Sequence, residues 1–329
     1  MEKVRAARNR TLVLSESERV RLRERLLVPG GGPLSLQEII NRTIRADLLS
    51  VLDLLPVSSV DLLIIDPPYN LDKNFHGLKF TKTGDDAYLR YLESWFPALV
   101  GVLKPEGSVY LCGDWRSSAC LYRVMRDWTV VRNRIVWQRE KGRGAGANWK
   151  STSEDIWFGT RGDDYYFDTG AVKQKRRVLA PYRENGAPKD WAEEGGGRFR
   201  LTHAGNFWDD ISVPYWSMRE NTDHPAQKPE KLVAKLILAS CPEGGIVLDP
   251  FLGSGTSSVT AKKLRRRYIG IELNEEYCLW AEKRLAAADH DTAIQGYSDG
   301  VFWERNTLNR PPAGLKQGVK VEGAAHNEE

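Results

Sequence analysis

Short apolar runs alternate with stretches of helical periodicity along most of the chain. Leu62 to Ile65 is apolar and partly β-branched, the pattern of a strand buried on both faces. The run stops at Asp66-Pro67-Pro68-Tyr69. Neither proline has an N–H to give to a ladder, so Asp66 falls at the carboxyl end of a strand with a stiff exit behind it. Residues 43–56 read as a short strand, an acidic turn at Asp47-Leu48 and a helix. From Asp85 to Leu103, apolar residues recur at helical spacing (Leu89, Leu92, Trp95, Phe96, Leu99, Val100), which predicts one long helix. Lys104 to Gly107 is expected to end it. A strand (Ser108–Cys112), a helix (Ser117–Asp127) and two strands (Val130–Trp137 and Asp155–Gly159) follow. Later come a helix from Glu230 to Ser240 opened by Pro229, a strand Ile246–Asp249 and a helix Ser257–Leu264. A strand Arg267–Glu272 and a helix from Asn274 to Ala287 complete the series. This alternation predicts an α/β fold with a mainly parallel sheet and covering helices.

Punctuation divides the chain. Residues 1–40 read as an N-terminal extension: Ser15 and Glu18 fit a capping box opening a charged helix to Leu27, and Pro29 to Pro33 breaks it. Such a helix is ordinarily a solvated face. Residues 41–161 form a first half. It includes a long polar loop, Asn70 to Gly84, with lysines that suit phosphate and phenylalanines that suit bases or a local core. It also includes a glycine-rich break from Gly142 to Gly146. Periodicity fails over 162–222, where Tyr165, Tyr166, Tyr182, Trp191, Trp208, Tyr215 and Trp216 mix with basic residues and Gly195–Gly197. That composition fits a nucleic-acid-reading insertion, and equally an insertion that buries its aromatics against the main domain. Residues 223–290 form a second half, and 291–329, with Pro311-Pro312, is a polar tail expected to be loosely ordered.

The net charge is only +4, but cations cluster at 132–143, 173–177 and 265–267. A polyanion can use such patches, although any single one is usually solvated surface. Cys112, Cys120, Cys241 and Cys278 form no C-x-x-C, and the histidines, His76 and His203 among them, form no H-x-x-x-H. No metal, reduced thiols and a cytoplasmic location are therefore expected. The N-terminus carries no apolar signal segment, and no run reaches membrane-spanning length.

Two stretches carry chemistry. Asp66, the Pro67 carbonyl and the Tyr69 ring, held close by Pro68, offer two acceptors and a stacking face. That set suits a flat base with an exocyclic amino group; the bland alternative is a proline turn capped by Asp66. The second stretch is a strand ending at Asp249, then Phe251, Gly253-Ser254-Gly255-Thr256, a helix, and a strand ending at Glu272, 19 positions after Gly253. This order is that of a nucleotide-binding βαβ unit, with the acid on ribose hydroxyls. A nicotinamide or flavin site wants a third glycine where Ser258 stands. Asp249 is suited instead to an α-ammonium group, and Phe251 to walling an adenine or a sulfonium. Both point to S-adenosylmethionine.

With these elements in this order the chain resembles the β-group DNA amino-methyltransferases. His224-Pro-Ala226-Gln-Lys228-Pro229 resembles that family's His-Pro-Thr-Gln-Lys-Pro, with Ala226 for threonine, and Leu252 departs slightly from its usual small residue. The likeness covers about 42–160 and 206–285. It implies a Rossmann-like S-adenosylmethionine-dependent methyltransferase sheet with an inserted target-recognition segment near 162–222. It also implies that Asp47-Leu48 meets the cofactor adenine. His224, Lys228, Ser254, Gly255, Thr256 and Asn274 join Asp66, Asp249, Phe251, Gly253 and Glu272 as expected cofactor residues. The implied substrate is double-stranded DNA; a homodimer and a cognate restriction endonuclease acting on the same site go with it.

Aspartate before Pro-Pro-Tyr goes mainly with N6 of adenine in that family, and serine with N4 of cytosine, which remains the alternative. A non-catalytic cofactor- and DNA-binding protein and an RNA methylase are the other readings. Protein-amide methylases resemble Asn-Pro-Pro-Tyr, against Asp66. The reactive base must leave the stack. Asp66 and the Pro67 carbonyl are then expected to accept its two N6–H bonds while Tyr69 stacks. Transfer is direct, with no cysteine nucleophile.

Overall fold

The computed structural model describes residues 6–75, 78–139, 146–194 and 197–304. His76, Lys141 to Arg143, most of the glycine-rich break, Gly195-Gly196 and the tail beyond 304 lie outside the described residues.

The main sheet takes strands from both halves. They are β1 (Arg42–Arg45), β2 (Val60–Ile65), β3 (Leu103–Gly113), β4 (Val130–Gln138) and β5 (Ser153–Thr160). A smaller sheet uses β6 (Gln174–Arg177), β7 (Ala192–Glu194) and β8 (Gly197–Thr202). The chain then returns through β9 (Phe207–Trp208), β10 (Ile246–Asp249) and β11 (Arg267–Glu272). The main sheet runs β1-β11-β10-β2-β3-β5-β4-β9. Its β1-to-β3 side is parallel, and β5 is antiparallel to both β3 and β4. The reversal has a plain cause. Among the described residues no helix lies between β4 and β5, and only a parallel return needs a crossover.

Strand β2 shows why its sequence is uniformly apolar. Leu63 and Ile65 enter one core, with Leu89, Trp95, Leu99 and Leu121, and Leu62 and Ile64 enter the other, with Leu232, Leu236 and Val247. Helices cover both faces. The predicted long helix is in fact two, α2 (Asp85–Glu93) and α3 (Phe96–Val102). Pro97 stands in the first turn of α3. It has no N–H for the Glu93 carbonyl and its ring crowds that turn, so the helix breaks there. Lys104 to Gly107 ends no helix. It bulges within β3, between the pairs Val60–Leu103 and Leu62–Ser108.

The N-terminal extension is docked rather than merely solvated. Helix α1 (Glu16–Arg23) has the predicted capping box at Ser15 and Glu18, but stops short of Leu27, which bridges to Ile44 beside β1. Leu14, Leu22 and Leu26 pack on Tyr277 to Trp280 of the last long helix (Glu275–Ala287), and Arg19 and Arg23 pair with Glu276 and Glu275.

The tail expectation is corrected more sharply. Residues up to 304 are ordered: β12 (Tyr297–Ser298) and β13 (Val301–Trp303) complete the smaller sheet, in the order β7-β8-β6-β13-β12. Phe302 is fully buried, and Lys231 donates to the Trp303 carbonyl. Two strands of two and three residues carry too little periodicity to be seen in sequence, and their partner Gln174–Arg177 is far away along the chain. Within 162–222, Trp191 and Trp208 are buried, whereas Tyr182 and Trp216 face solvent.

Candidate active site

Asp66 emerges where predicted, just past the carboxyl end of β2. The exit behind it is clamped. Asn70 bonds Thr83 three times, donating to its carbonyl at 2.8 Å and accepting from its N–H at 2.7 Å and its hydroxyl at 3.3 Å, and Tyr88 donates to the Pro68 carbonyl at 3.1 Å. The Tyr69 hydroxyl reaches Asp66 Oδ1 at 2.9 Å and Glu154 Oε2 at 3.1 Å. Lys228 Nζ lies 2.6 Å from Asp66 Oδ2 and 3.2 Å from Glu154 Oε2. Arg139 closes the far side of Glu154.

Asp249 ends β10, and its Oδ1 accepts from the Phe251 N–H at 3.0 Å. The loop then turns through Gly253 (φ +53°) and Gly255 (φ +88°) into helix Thr256–Lys263. Glu272, at the end of β11, accepts the Gly253 N–H at 2.8 Å through one oxygen and the Asn274 N–H at 2.7 Å through the other. Asp47 caps the short helix Leu48–Val51 by accepting from Leu49.

A cavity of about 530 Å³ joins the two stretches. Asp66, Pro67, Pro68 and Tyr69 line one part; Asp47, Leu48, His224, Asp249, Phe251, Gly253, Ser254, Thr256 and Glu272 line the rest. Three expected cofactor residues are placed differently. Gly255 does not line the cavity: a Cβ there would stand 2.5 Å from that of Ala281, so this glycine serves close helix packing. Asn274 caps the last helix, accepting from the Tyr277 N–H, and also stays outside. Lys228 lines the cavity, but its ammonium lies on Asp66 and Glu154. Glu154, Arg139, Cys112, Tyr91 and Trp95 also line it and were not foreseen. Cys112 at the end of a predicted strand was within reach of the pattern; Glu154 and Arg139 belong to no motif.

Burial sets the charge states. It pushes the Asp249 carboxyl up to about 7, with the nearby Asp66 and Glu272 charges adding to it. Burial also raises Glu272, despite the three N–H groups it accepts. Desolvation works against a charged Lys228, but Asp66 and Glu154 outweigh it and hold its pKa above the ordinary value. Burial raises the Tyr69 phenol and the Cys112 thiol well above their ordinary values, so both stay neutral and the thiol is no nucleophile.

The residues present fit an adenosine-bearing amino acid. An acidic floor at Asp249, a carboxylate at Glu272, a bare backbone at Gly253 and an aromatic wall at Phe251 share one space. The Ser254 hydroxyl is buried with no hydrogen-bond partner among the described residues, a donor left over for a ligand.

A family model described as DNA methylase matches residues 60–283. The chain belongs to the DNA methylase family. The methylase is 35% identical over 257 residues to the DNA adenine methyltransferase YhdJ of Escherichia coli (strain K12), covering 76% of this chain and 84% of that protein. It is 32% identical over 247 residues to the type II methyltransferase M.HpaI of Haemophilus parainfluenzae, covering 74% of each. Among solved structures, the M1.HpyAVI–SAM complex aligns with a TM-score of 0.51 at 22% identity, over 74% of this chain and 98% of that one. The PvuII cytosine-N4-specific DNA methyltransferase aligns with a TM-score of 0.54 at 17% identity, over 75% and 90%. These two likenesses establish the fold, an α/β methyltransferase sheet. The methyl donor of the family is S-adenosylmethionine, and the expected resemblance holds.

Proposed function

We propose that the methylase transfers the methyl group of S-adenosylmethionine to N6 of an adenine flipped out of double-stranded DNA. The observation that carries this is the single cavity shared by Asp66-Pro-Pro-Tyr69 and the Asp249–Glu272 unit. Bound S-adenosylmethionine supplies an electrophilic methyl group. Asp66 and the Pro67 carbonyl accept the two N6–H bonds, which draws the nitrogen lone pair out of ring conjugation. The Tyr69 ring stacks on the base. Asp249 takes the cofactor's α-ammonium group, Glu272 its ribose hydroxyls, and Asp47-Leu48 the adenine end. Fixed acceptors and orientation account for the acceleration.

Aspartate at position 66 and the name of the E. coli relative favour adenine. Cytosine N4 is the second reading, since the family covers both amino groups. Residues 162–222, with the smaller sheet, are the segment we assign to target reading. A type II relative supports a cognate endonuclease for the same site. The protein acts in the cytoplasm, where its DNA is.

Incubation with S-adenosylmethionine and unmethylated genomic DNA, followed by single-molecule sequencing, tests the reading. N6-methyladenine at one short motif is expected. N4-methylcytosine moves the target to cytosine, and unmodified DNA overturns the proposal.

Cofactor affinity is expected to depend on pH through Asp249. The carboxyl, raised to about 7 by burial, is protonated below that pH and cannot receive an ammonium group. Affinity should therefore rise by up to about tenfold per pH unit toward neutrality and level off above it. Without cofactor the sign reverses. The folded-state pKa lies above the unfolded one, so this group's contribution is fully present below the unfolded pKa and is lost as pH rises through about 7. Calorimetric titration from acid to mildly alkaline pH should show the slope in the parent and its loss in Asp249→Asn. An unchanged slope in the variant would remove Asp249 from this role.

A further inference from the structure

Lys228 is held in a position that cofactor binding does not explain. Its ammonium touches Asp66 Oδ2 (2.6 Å), the Tyr69 hydroxyl (3.1 Å) and Glu154 Oε2 (3.2 Å), and its side chain is only 10% exposed. Its backbone carbonyl accepts from Thr256 Oγ1 at 3.0 Å, so the lysine is anchored to the first turn of the helix that follows the glycine loop. Glu154, 5% exposed, has its other oxygen on Arg139.

We propose that Lys228 is a positioning residue for Asp66: its ammonium fixes the Asp66 carboxylate as a correctly aimed anion, and Glu154 is the counter-anion that keeps the ammonium in the buried site. The inference rests on the reading of Asp66 as the acceptor of the amino group.

Geometry supports the assignment. Tyr69 occupies one oxygen of Asp66 and Lys228 the other, from two different stretches of chain, so the carboxylate cannot rotate freely. A carboxylate offers about four acceptor positions, so a lone pair stays open for an incoming N–H without moving the lysine. Charge supports it as well. The groups around Asp66 are Tyr69 and Lys73 from its own exit loop, Cys112 from β3, Glu154 from β5, Lys228 and Asp249, with Arg139, one residue past β4, on Glu154. Take away Lys228, and the Asp66 and Glu154 carboxylates are left bridged by one phenol. Two acids so placed do not both stay ionised readily. Two cations remain near, but Arg139 is turned to Glu154 and burial depresses Lys73.

The test uses the full-length protein, S-adenosylmethionine and DNA carrying the mapped site. Lys228→Met should lower kcat about 100-fold, the scale of a misaimed reacting group, with cofactor Kd essentially unchanged. The acid limb of its pH–rate profile should move to higher pH. Lys228→Arg should keep the parent's limb. Adding Glu154→Gln to Lys228→Met should restore part of the rate at neutral pH, because the competing anion is gone. Should Lys228→Met fail to fold, the double variant and Lys228→Arg read the same limb. Weaker cofactor binding with an unmoved limb overturns the proposal and returns Lys228 to the cofactor; a double variant no better than Lys228→Met also overturns it. Asp66→Ala run in parallel separates the two levels. If it is active, the reading of Asp66 has failed; if it is dead while Lys228→Met turns over like the parent, only the inference has failed.

Discussion

Replacing Asp66 with alanine abolishes methyl transfer while leaving cofactor and DNA binding in place. The expected loss is about a thousandfold or more, roughly 4 kcal/mol of transition-state stabilisation. The carboxylate is the one anionic acceptor that the Pro-Pro exit aims from the end of β2, and the Pro67 carbonyl can take only one of the two amino hydrogens. Binding persists for a geometric reason: Asp249, Glu272, Phe251 and the Gly253 backbone stand on the other strands of the cavity wall. Single-turnover methylation with labelled cofactor measures the chemical step, and calorimetry with mobility shift on the same preparation measures the two affinities. Asp66→Asn is the matched control, since its amide keeps the shape but presents a donor toward Lys228. Turnover by Asp66→Ala at the parent's rate would remove Asp66 from the reaction.

Which parts of this arrangement were readable follows from where the physical causes lie along the chain. Strands β2, β10 and β11 and the helix Glu230–Ser240 fall where the sequence puts them, because each is a buried apolar run bounded by proline, glycine or acid. Their causes are local. The two-strand contribution of 297–303 is not local, since its partner is Gln174–Arg177, and a polar stretch of that length reads as tail. Pro97 was visible, yet the apolar spacing across it is continuous, and periodicity hid the break.

The site divides in the same way. Asp66, Asp249 and Glu272 are strand-end residues and Tyr69 lies in the exit loop behind Asp66, all in recognisable strings, and the structure gathers them around one cavity. Gly255 and Asn274 belong to the same strings but serve packing and capping. Glu154 meets Tyr69 from 85 residues away, and Lys228 meets Asp66 from 162 away. No spacing rule reaches that far.

The largest loss of stability is expected from Arg284→Met. Arg284 is 4% exposed and lies on Glu230, itself 5% exposed, at 3.0 Å. It also donates to the Ser254 carbonyl at 2.8 Å and to Thr256 Oγ1 at 3.1 Å, tying the last helix to the glycine loop. Lys263 holds the other oxygen of Glu230 at 2.7 Å, and Glu220 accepts the Glu230 backbone N–H at 2.7 Å. Removing the guanidinium leaves the buried Glu230 and the half-buried Glu220 sharing one lysine. Breaking a buried pair on one side costs about 3–5 kcal/mol, because the remaining charge stays desolvated. The cost should depend on pH. Burial, with the Glu230 charge beside it, already pushes Glu220 up to about 7, and without Arg284 it rises further. A Glu220 with its folded pKa raised takes up a proton as pH falls, which relieves the repulsion. The variant's deficit in urea unfolding should accordingly be larger at pH 8 than at pH 6. An equal deficit at both would place the cost in lost packing and loop anchoring rather than in charge. Cofactor affinity should fall in either case, because the Ser254 carbonyl loses the donor that fixes the loop beside the cavity.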